Sequence, residues 1–105
     1  VKKKQKSAYL LKHEQVHFDI TELYVRKMRQ EILSQKYTLK KFNKRVAKIL
    51  KKYSRETNSF QNKYDKETKH SINKEAQKEW NVLVKKSLKD LDAFKNPILM
   101  VGVEL

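Results

Sequence analysis

Apolar residues recur every three or four positions along most of the chain, and this spacing predicts helices that each bury one face. The first helix is expected over about residues 5–35. Its apolar positions are Leu10, Leu11, Ile20, Leu23, Tyr24, Met28, Ile32 and Leu33. Thr38 is the expected N-cap of the second helix, because its hydroxyl can accept a backbone N–H of the first turn. The predicted buried stripe of that helix comprises Leu39, Phe42, Val46, Ile49, Leu50 and Tyr53.

A break is expected around residues 64–71, followed by a third helix whose N-cap is Ser71 or Asn73. Its inward stripe comprises Ala76, Trp80, Leu83, Val84, Leu88 and Leu91. Asn96-Pro97 should end this helix, since a proline disfavours helical backbone at the preceding residue. The tail from Ile98 to Val103 is expected to form an edge strand or a docked extension. The pattern therefore predicts a single all-α domain of about three helices over residues 1–105.

Composition agrees with a helical chain and restricts its chemistry. One Gly and one Pro among 105 residues leave few helix breakers. The absence of cysteine excludes disulfides and thiolate zinc ligands, so a metal site must use His and carboxylate side chains. The longest apolar run, Ile98 to Val103, is too short to span a bilayer. No signal peptide is recognisable, because no apolar run follows the opening Val-Lys-Lys-Lys-Gln-Lys.

The charge is strongly basic, with 26 Lys and Arg against 12 Asp and Glu, a net charge of +14. Such a balance often marks proteins that bind nucleic acids or anionic surfaces. Here the lysines are spread over the chain, and only four arginines provide the side chain preferred for phosphate and base recognition. A solvated surface is favoured, and no specific nucleic-acid partner is expected. A basic binding module remains the alternative, through Lys40, Lys41, Lys44, Lys48, Lys51 and Lys52.

His13, Glu14 and His17 form the pattern H-E-x-x-H on the first helix. Residues four apart share a helix face, so both imidazoles can bind one metal ion. In zinc hydrolases with this pattern, the carboxylate takes a proton from metal-bound water. The pattern therefore predicts a zinc (Zn²⁺) site in which Glu14 is the catalytic base.

The third ligand must come from another part of the chain. Glu22 lies at about 180° from His13 around the helix, so it is expected to have a structural or supporting role. His70 is the remaining histidine, and three histidines with one open position form a catalytic zinc arrangement. Asp65 and Glu67 are further candidates, either as ligands or as groups that orient a ligand.

The segment His13-Glu-Gln-Val-His-Phe-Asp-Ile-Thr-Glu22, with Tyr64-Asp-Lys-Glu-Thr-Lys-His70 and Gln77-Lys-Glu-Trp80, resembles a bacterial family of predicted secreted zinc-dependent proteases. This zincin-like family of unknown function carries the motifs HEQxHFDIxE and YDxETxHG. The resemblance implies that His13, His17 and His70 bind zinc. It also implies that Glu14 is the general base, and that the protein is secreted or periplasmic. Ser71 replaces the family's usual glycine, and the β-containing stretch that tends to precede the helix in this family is lacking.

The leading prediction is a zinc metallopeptidase that acts on a peptide or protein substrate. Two alternatives remain besides it. One is the basic helical module for nucleic acid or an anionic surface polymer. The other is a structural zinc protein without activity, in which the metal joins the first helix to the segment around His70.

Overall fold

The computed structural model describes the backbone of residues 2–105 and the side chains of residues 7–105. Three helices form most of it: α1 (Lys2–Ser34), α2 (Phe42–Thr68) and α3 (Lys74–Asp90). Two short strands, β1 (Tyr37–Thr38) and β2 (Val103–Glu104), pair in parallel, and a 3₁₀ helix (Asp92–Phe94) follows α3. The predicted all-α class with three helices is confirmed. None of these described helices is long and apolar enough to cross a membrane.

The boundaries of the helices differ in part from those predicted. Asn73 is the N-cap of α3, and its side chain accepts a hydrogen bond from the Ala76 N–H at 3.1 Å, as expected. The expected capping role of Thr38 is wrong, because Thr38 belongs to β1 and α2 begins after Lys41. The helix α3 ends at Asp90, well before Pro97, and the chain continues as the 3₁₀ helix from Asp92.

The core has two apolar clusters. The larger lies where the three helices meet and comprises Val16, Ile20, Leu23, Tyr24, Tyr64, Trp80 and Val84. The smaller joins Ile32, Tyr37 and Ile49, against which Val101 and Val103 pack. Several residues of the predicted stripes are exposed instead, namely Leu10, Leu11, Leu33, Leu39, Leu50 and Leu83. The predicted stripes are thus wider than the faces that the partner helices cover.

The turn between α2 and α3 has an unusual backbone. Lys69, His70 and Ser71 have φ angles of 49°, 52° and 86°. A left-handed backbone costs a residue with a side chain roughly 1–2 kcal/mol. The turn is held by hydrogen bonds from the His70 N–H to the Asp65 carbonyl at 2.9 Å and from the Asn73 N–H to the Thr68 carbonyl at 2.8 Å. These bonds satisfy carbonyls at the end of α2.

Ser71→Gly is expected to raise the free energy of unfolding by about 1 kcal/mol, because glycine has no Cβ to oppose a positive φ. The Ser71 carbonyl, which accepts a hydrogen bond from the Tyr9 hydroxyl, stays in place. Chemical denaturation measures the change. Ser87→Gly within α3 is the control and should lower stability by about 0.5 kcal/mol, because its backbone is helical. A loss of stability in both variants would contradict strain at Ser71.

Candidate metal centre

His13 and His17 on α1 point their rings at one carboxylate of α2. The His13 Nε2 lies 3.1 Å from the Asp65 Oδ1, and the His17 Nε2 lies 2.7 Å from the same oxygen. Each residue offers one ligand atom, and these three atoms all lie within 4.8 Å of one another. The contact between α1 and α2 therefore brings two imidazoles and a carboxylate together.

Packing fixes the two rings, while one side of the cluster faces solvent. The His13 ring stacks on Tyr64 with centroids 4.7 Å apart, and the His17 ring meets Tyr64 edge-on at 4.8 Å. His13 is buried, whereas the side chains of His17 and Asp65 are 22% and 29% exposed. An ion or a small group can thus reach the cluster from the His17 and Asp65 side.

Gln61 of α2 determines which nitrogen of His17 carries the proton. The Gln61 amide nitrogen donates to the His17 backbone carbonyl at 2.8 Å, and a carbonyl can only accept. The Gln61 Oε1 therefore faces the His17 Nδ1, at 2.5 Å. Since this oxygen also can only accept, Nδ1 carries the proton. In the neutral imidazole, the His17 Nε2, which faces Asp65, then holds a lone pair.

A longer chain of hydrogen bonds gives the same result for His13. The Tyr64 hydroxyl donates to the His13 carbonyl at 2.9 Å, so its oxygen accepts from the Gln77 amide nitrogen at 2.7 Å. This directs the Gln77 Oε1 to the His13 Nδ1, at 2.7 Å. His13 therefore also carries a proton on Nδ1, and in its neutral form its Nε2 presents a lone pair to Asp65.

With both histidines neutral, the cluster thus consists of three electron-pair donors that face one another. Two imidazole lone pairs and a carboxylate oxygen repel at these distances unless a positive charge lies among them, either a metal ion or further imidazole protons. Two imidazole nitrogens and one carboxylate oxygen match a catalytic zinc set, which leaves a fourth position open. Metal-binding histidines commonly donate their other N–H to an oxygen, as His13 and His17 do here. The residues present therefore fit a divalent metal such as zinc.

Tyr64 remains protonated at neutral pH. Burial raises the pKa of Tyr64 to about 12; the hydrogen bond from Gln77 opposes this shift, and the charges of Asp65 and Glu14 add to it. The hydroxyl can therefore keep donating to the His13 carbonyl.

The other predicted site residues lie in different surroundings. Glu14 is exposed on α1, immediately after the buried His13. His70 is exposed in the left-handed turn and lies outside the cluster, so its role as a ligand stays a prediction. The Glu67 carboxylate accepts a hydrogen bond from the Trp80 indole at 3.1 Å. The structure therefore brings Asp65, and neither His70 nor Glu67, to the two histidines.

Glu22 belongs to a separate contact between α1 and the end of α3. Its carboxylate lies 2.7 Å from the Arg26 Nε and 3.7 Å from the Arg29 guanidinium. The two arginines donate in turn to the backbone carbonyls of Leu88 and Phe94, at 2.6 and 2.8 Å. Glu22 therefore orients the arginines that join α1 to α3 and the 3₁₀ helix.

Gln61 and Gln77 are not among the predicted site residues. A signal for the first exists on α2, where Gln61, Tyr64, Asp65 and Thr68 follow the spacing of one helix face. That face is buried or half-buried, and polar residues on such a face require partners. For Gln77, the signal is a polar residue three positions before Trp80 on the inward side of α3.

Comparison with known proteins places most of the chain in a family. Residues 3–71 match the family model described as "Bacterial protein of unknown function (DUF922)". This segment covers nearly all of α1, the whole of α2 and the left-handed turn, and it includes His13, His17 and Asp65. No curated protein and no solved structure matches the chain. The chain therefore belongs to this bacterial family of unknown function.

Proposed function

We propose that this chain is a zinc-dependent metallopeptidase. The observation that carries the proposal is the convergence of the Nε2 atoms of His13 and His17 on the Asp65 carboxylate. The exposed Glu14 directly follows His13 on α1. In this proposal Asp65 is the third ligand, the position that the resemblance implies for His70. The cluster has an open side, as a catalytic site requires.

Each residue of the site has a defined part in peptide hydrolysis. Zinc held by His13, His17 and Asp65 would lower the pKa of a bound water and polarise the substrate carbonyl. The Glu14 carboxylate accepts a proton from the attacking water and then passes it to the leaving amine. Gln61 and Gln77 accept the Nδ1 protons of His17 and His13, which keeps both Nε2 lone pairs directed at the metal position.

The surface beside Glu14 favours an apolar substrate. Leu11 and Phe18 lie within about 60° of Glu14 around α1. Each is 71% exposed, and large apolar side chains exposed together often mark binding surfaces. A peptide seated over Glu14 would bring its own side chains against these two residues. We therefore expect cleavage next to apolar residues of the substrate.

The test measures metal content and hydrolysis on the same preparation. After loading with zinc and dialysis, elemental mass spectrometry is expected to find about one zinc per chain. Hydrolysis of quenched fluorescent peptides with apolar side chains at the cleavage position should stop with a chelator and return with zinc. No bound metal after loading would contradict the metal centre. Bound zinc without hydrolysis across the peptide set would contradict the peptidase and favour a structural zinc protein.

A further inference from the structure

The first half of α2 carries a continuous basic surface. Because each residue turns a helix by about 100°, seven cations fall within one sector of about 120°. We call this surface the basic sector; it comprises Lys41, which caps α2, with Lys44, Arg45, Lys48, Lys51, Lys52 and Arg55. All seven side chains are exposed. No acidic residue occurs between positions 40 and 55, so no carboxylate on this stretch offsets the charge.

A cleft of about 470 Å³ lies between the basic sector and the last turns of α1. It is lined by Glu31, Gln35, Arg45, Lys48, Ile49, Lys51, Lys52 and Arg55. The carboxylate of Glu31 already binds the Lys52 Nζ at 2.7 Å and the Tyr53 hydroxyl at 2.9 Å. Five basic side chains against one carboxylate leave the cleft strongly positive.

Arg45 is held in place at one side of the cleft. Its guanidinium donates to the Lys36 carbonyl at 2.9 Å and to the Gln35 side-chain oxygen at 2.7 Å, and it lies 5.5 Å from the Tyr37 ring centroid. A guanidinium has five N–H groups, so further donors remain after these two bonds. An anion that binds here meets a guanidinium that is already held in one orientation, which lowers the entropic cost of binding.

The clustered positive charge of the basic sector lowers the stability of α2. The N-terminus of a helix is its positive end and is stabilised by acidic side chains. The first turn of α2 has none, and its N-cap Lys41 makes no side-chain capping bond. Repulsion among neighbouring lysines adds to this cost. Features that work against stability are expected where a function requires them.

We propose that the basic sector binds a linear phosphate polymer that carries no bases. Its seven cations are spread along α2 at about two per 5.4 Å turn over roughly 20 Å, which suits a row of anions better than a single ion. Among the side chains that the structure describes, none that lines the cleft is aromatic, whereas single-stranded nucleic acids are usually bound by stacking of bases on aromatic rings. The site is separate from the metal centre, because Arg55 and Asp65 are ten residues apart on α2, about 15 Å along the helix.

The test compares two sets of three substitutions that remove equal charge. The test variant changes Lys44, Lys48 and Lys51 to Gln, and the control variant changes Lys78, Lys86 and Lys89 of α3 to Gln. All six lysines are exposed. Each variant loses three positive charges, so the two share one net charge. End-labelled inorganic polyphosphate is titrated with each protein at several salt concentrations, and an oligothymidylate of similar charge is titrated in parallel.

The test variant is expected to bind polyphosphate roughly tenfold or more weakly than the wild type, and its log–log salt dependence should flatten by about two units. The control variant should stay within about twofold of the wild type. Thermal unfolding of the test variant at or above the wild-type temperature would show that the fold is intact. Equal losses in both variants would overturn the proposal, because net charge alone would explain them. Oligothymidylate bound as tightly as polyphosphate would also overturn it, in favour of nucleic acid.

Discussion

Glu14→Gln is expected to lower the rate of peptide hydrolysis by about 10²–10⁴-fold and to leave the zinc content unchanged. The amide of glutamine cannot accept the proton from the attacking water. Glu14 is exposed and contributes none of the three ligand atoms, so the metal should remain bound. Steady-state hydrolysis and elemental analysis on the same protein measure both quantities.

Glu22→Gln is the matched control, since it makes the same chemical change on the same helix. Glu22 pairs with arginines two turns beyond the motif, so its loss should slightly lower stability and leave the hydrolysis rate near that of the wild type. An unchanged rate in Glu14→Gln would exclude Glu14 as the base. A loss of zinc in the same variant would instead indicate that Glu14 is a ligand.

Asp65→Asn is expected to weaken zinc binding by about 100-fold or more, because a neutral amide oxygen replaces a charged ligand. His70→Ala should change zinc affinity by less than about threefold, since His70 is exposed and lies outside the cluster. Competition with a chromogenic chelator gives both affinities.

This pair of variants also decides between the two ligand sets. A large loss in His70→Ala with near-normal binding in Asp65→Asn would support three histidines, and the assignment of Asp65 would then be wrong. Circular dichroism of both variants without metal serves as the control for folding. Because Asp65 is partly exposed, the substitution to a residue of the same shape should preserve α2.

The sequence was sufficient to predict the three helices and the two histidines of the site. Spacing of apolar residues predicted three helices, and the positions of His13 and His17 four residues apart placed both on one face. The identity of the third group at the site depends on where α2 ends. A break at residues 64–71 would free His70 to move, whereas α2 continues to Thr68 and holds Asp65 against α1. The alignment of α2 along α1 decides whether Asp65 or His70 reaches the two histidines. The spacing of residue types along each helix does not determine that alignment.

The spacing of Gln61 and Gln77 marks them as polar residues on inward faces, but the histidines that they contact could not be predicted, for a similar reason. Gln61 meets His17, and Gln77 meets His13, through packing between residues far apart in sequence. The role of Thr38 was misjudged because the start of α2 depends on pairing with β2, far along the chain. The preference of Thr38 for a helix N-cap is outweighed here by the pairing of its backbone with a distant strand.

The parallel pairing of β1 with β2 has a consequence for the order of folding. Tyr37 and Thr38 meet Val103 and Glu104, and the Leu39 N–H adds one more bond to the Glu104 carbonyl at 2.8 Å. Residues this far apart in sequence can meet only after the intervening helices have formed and docked, because closing so large a loop earlier costs too much chain entropy. The strands should therefore form late, and their amide hydrogens should exchange with solvent sooner than those in the middle of α1.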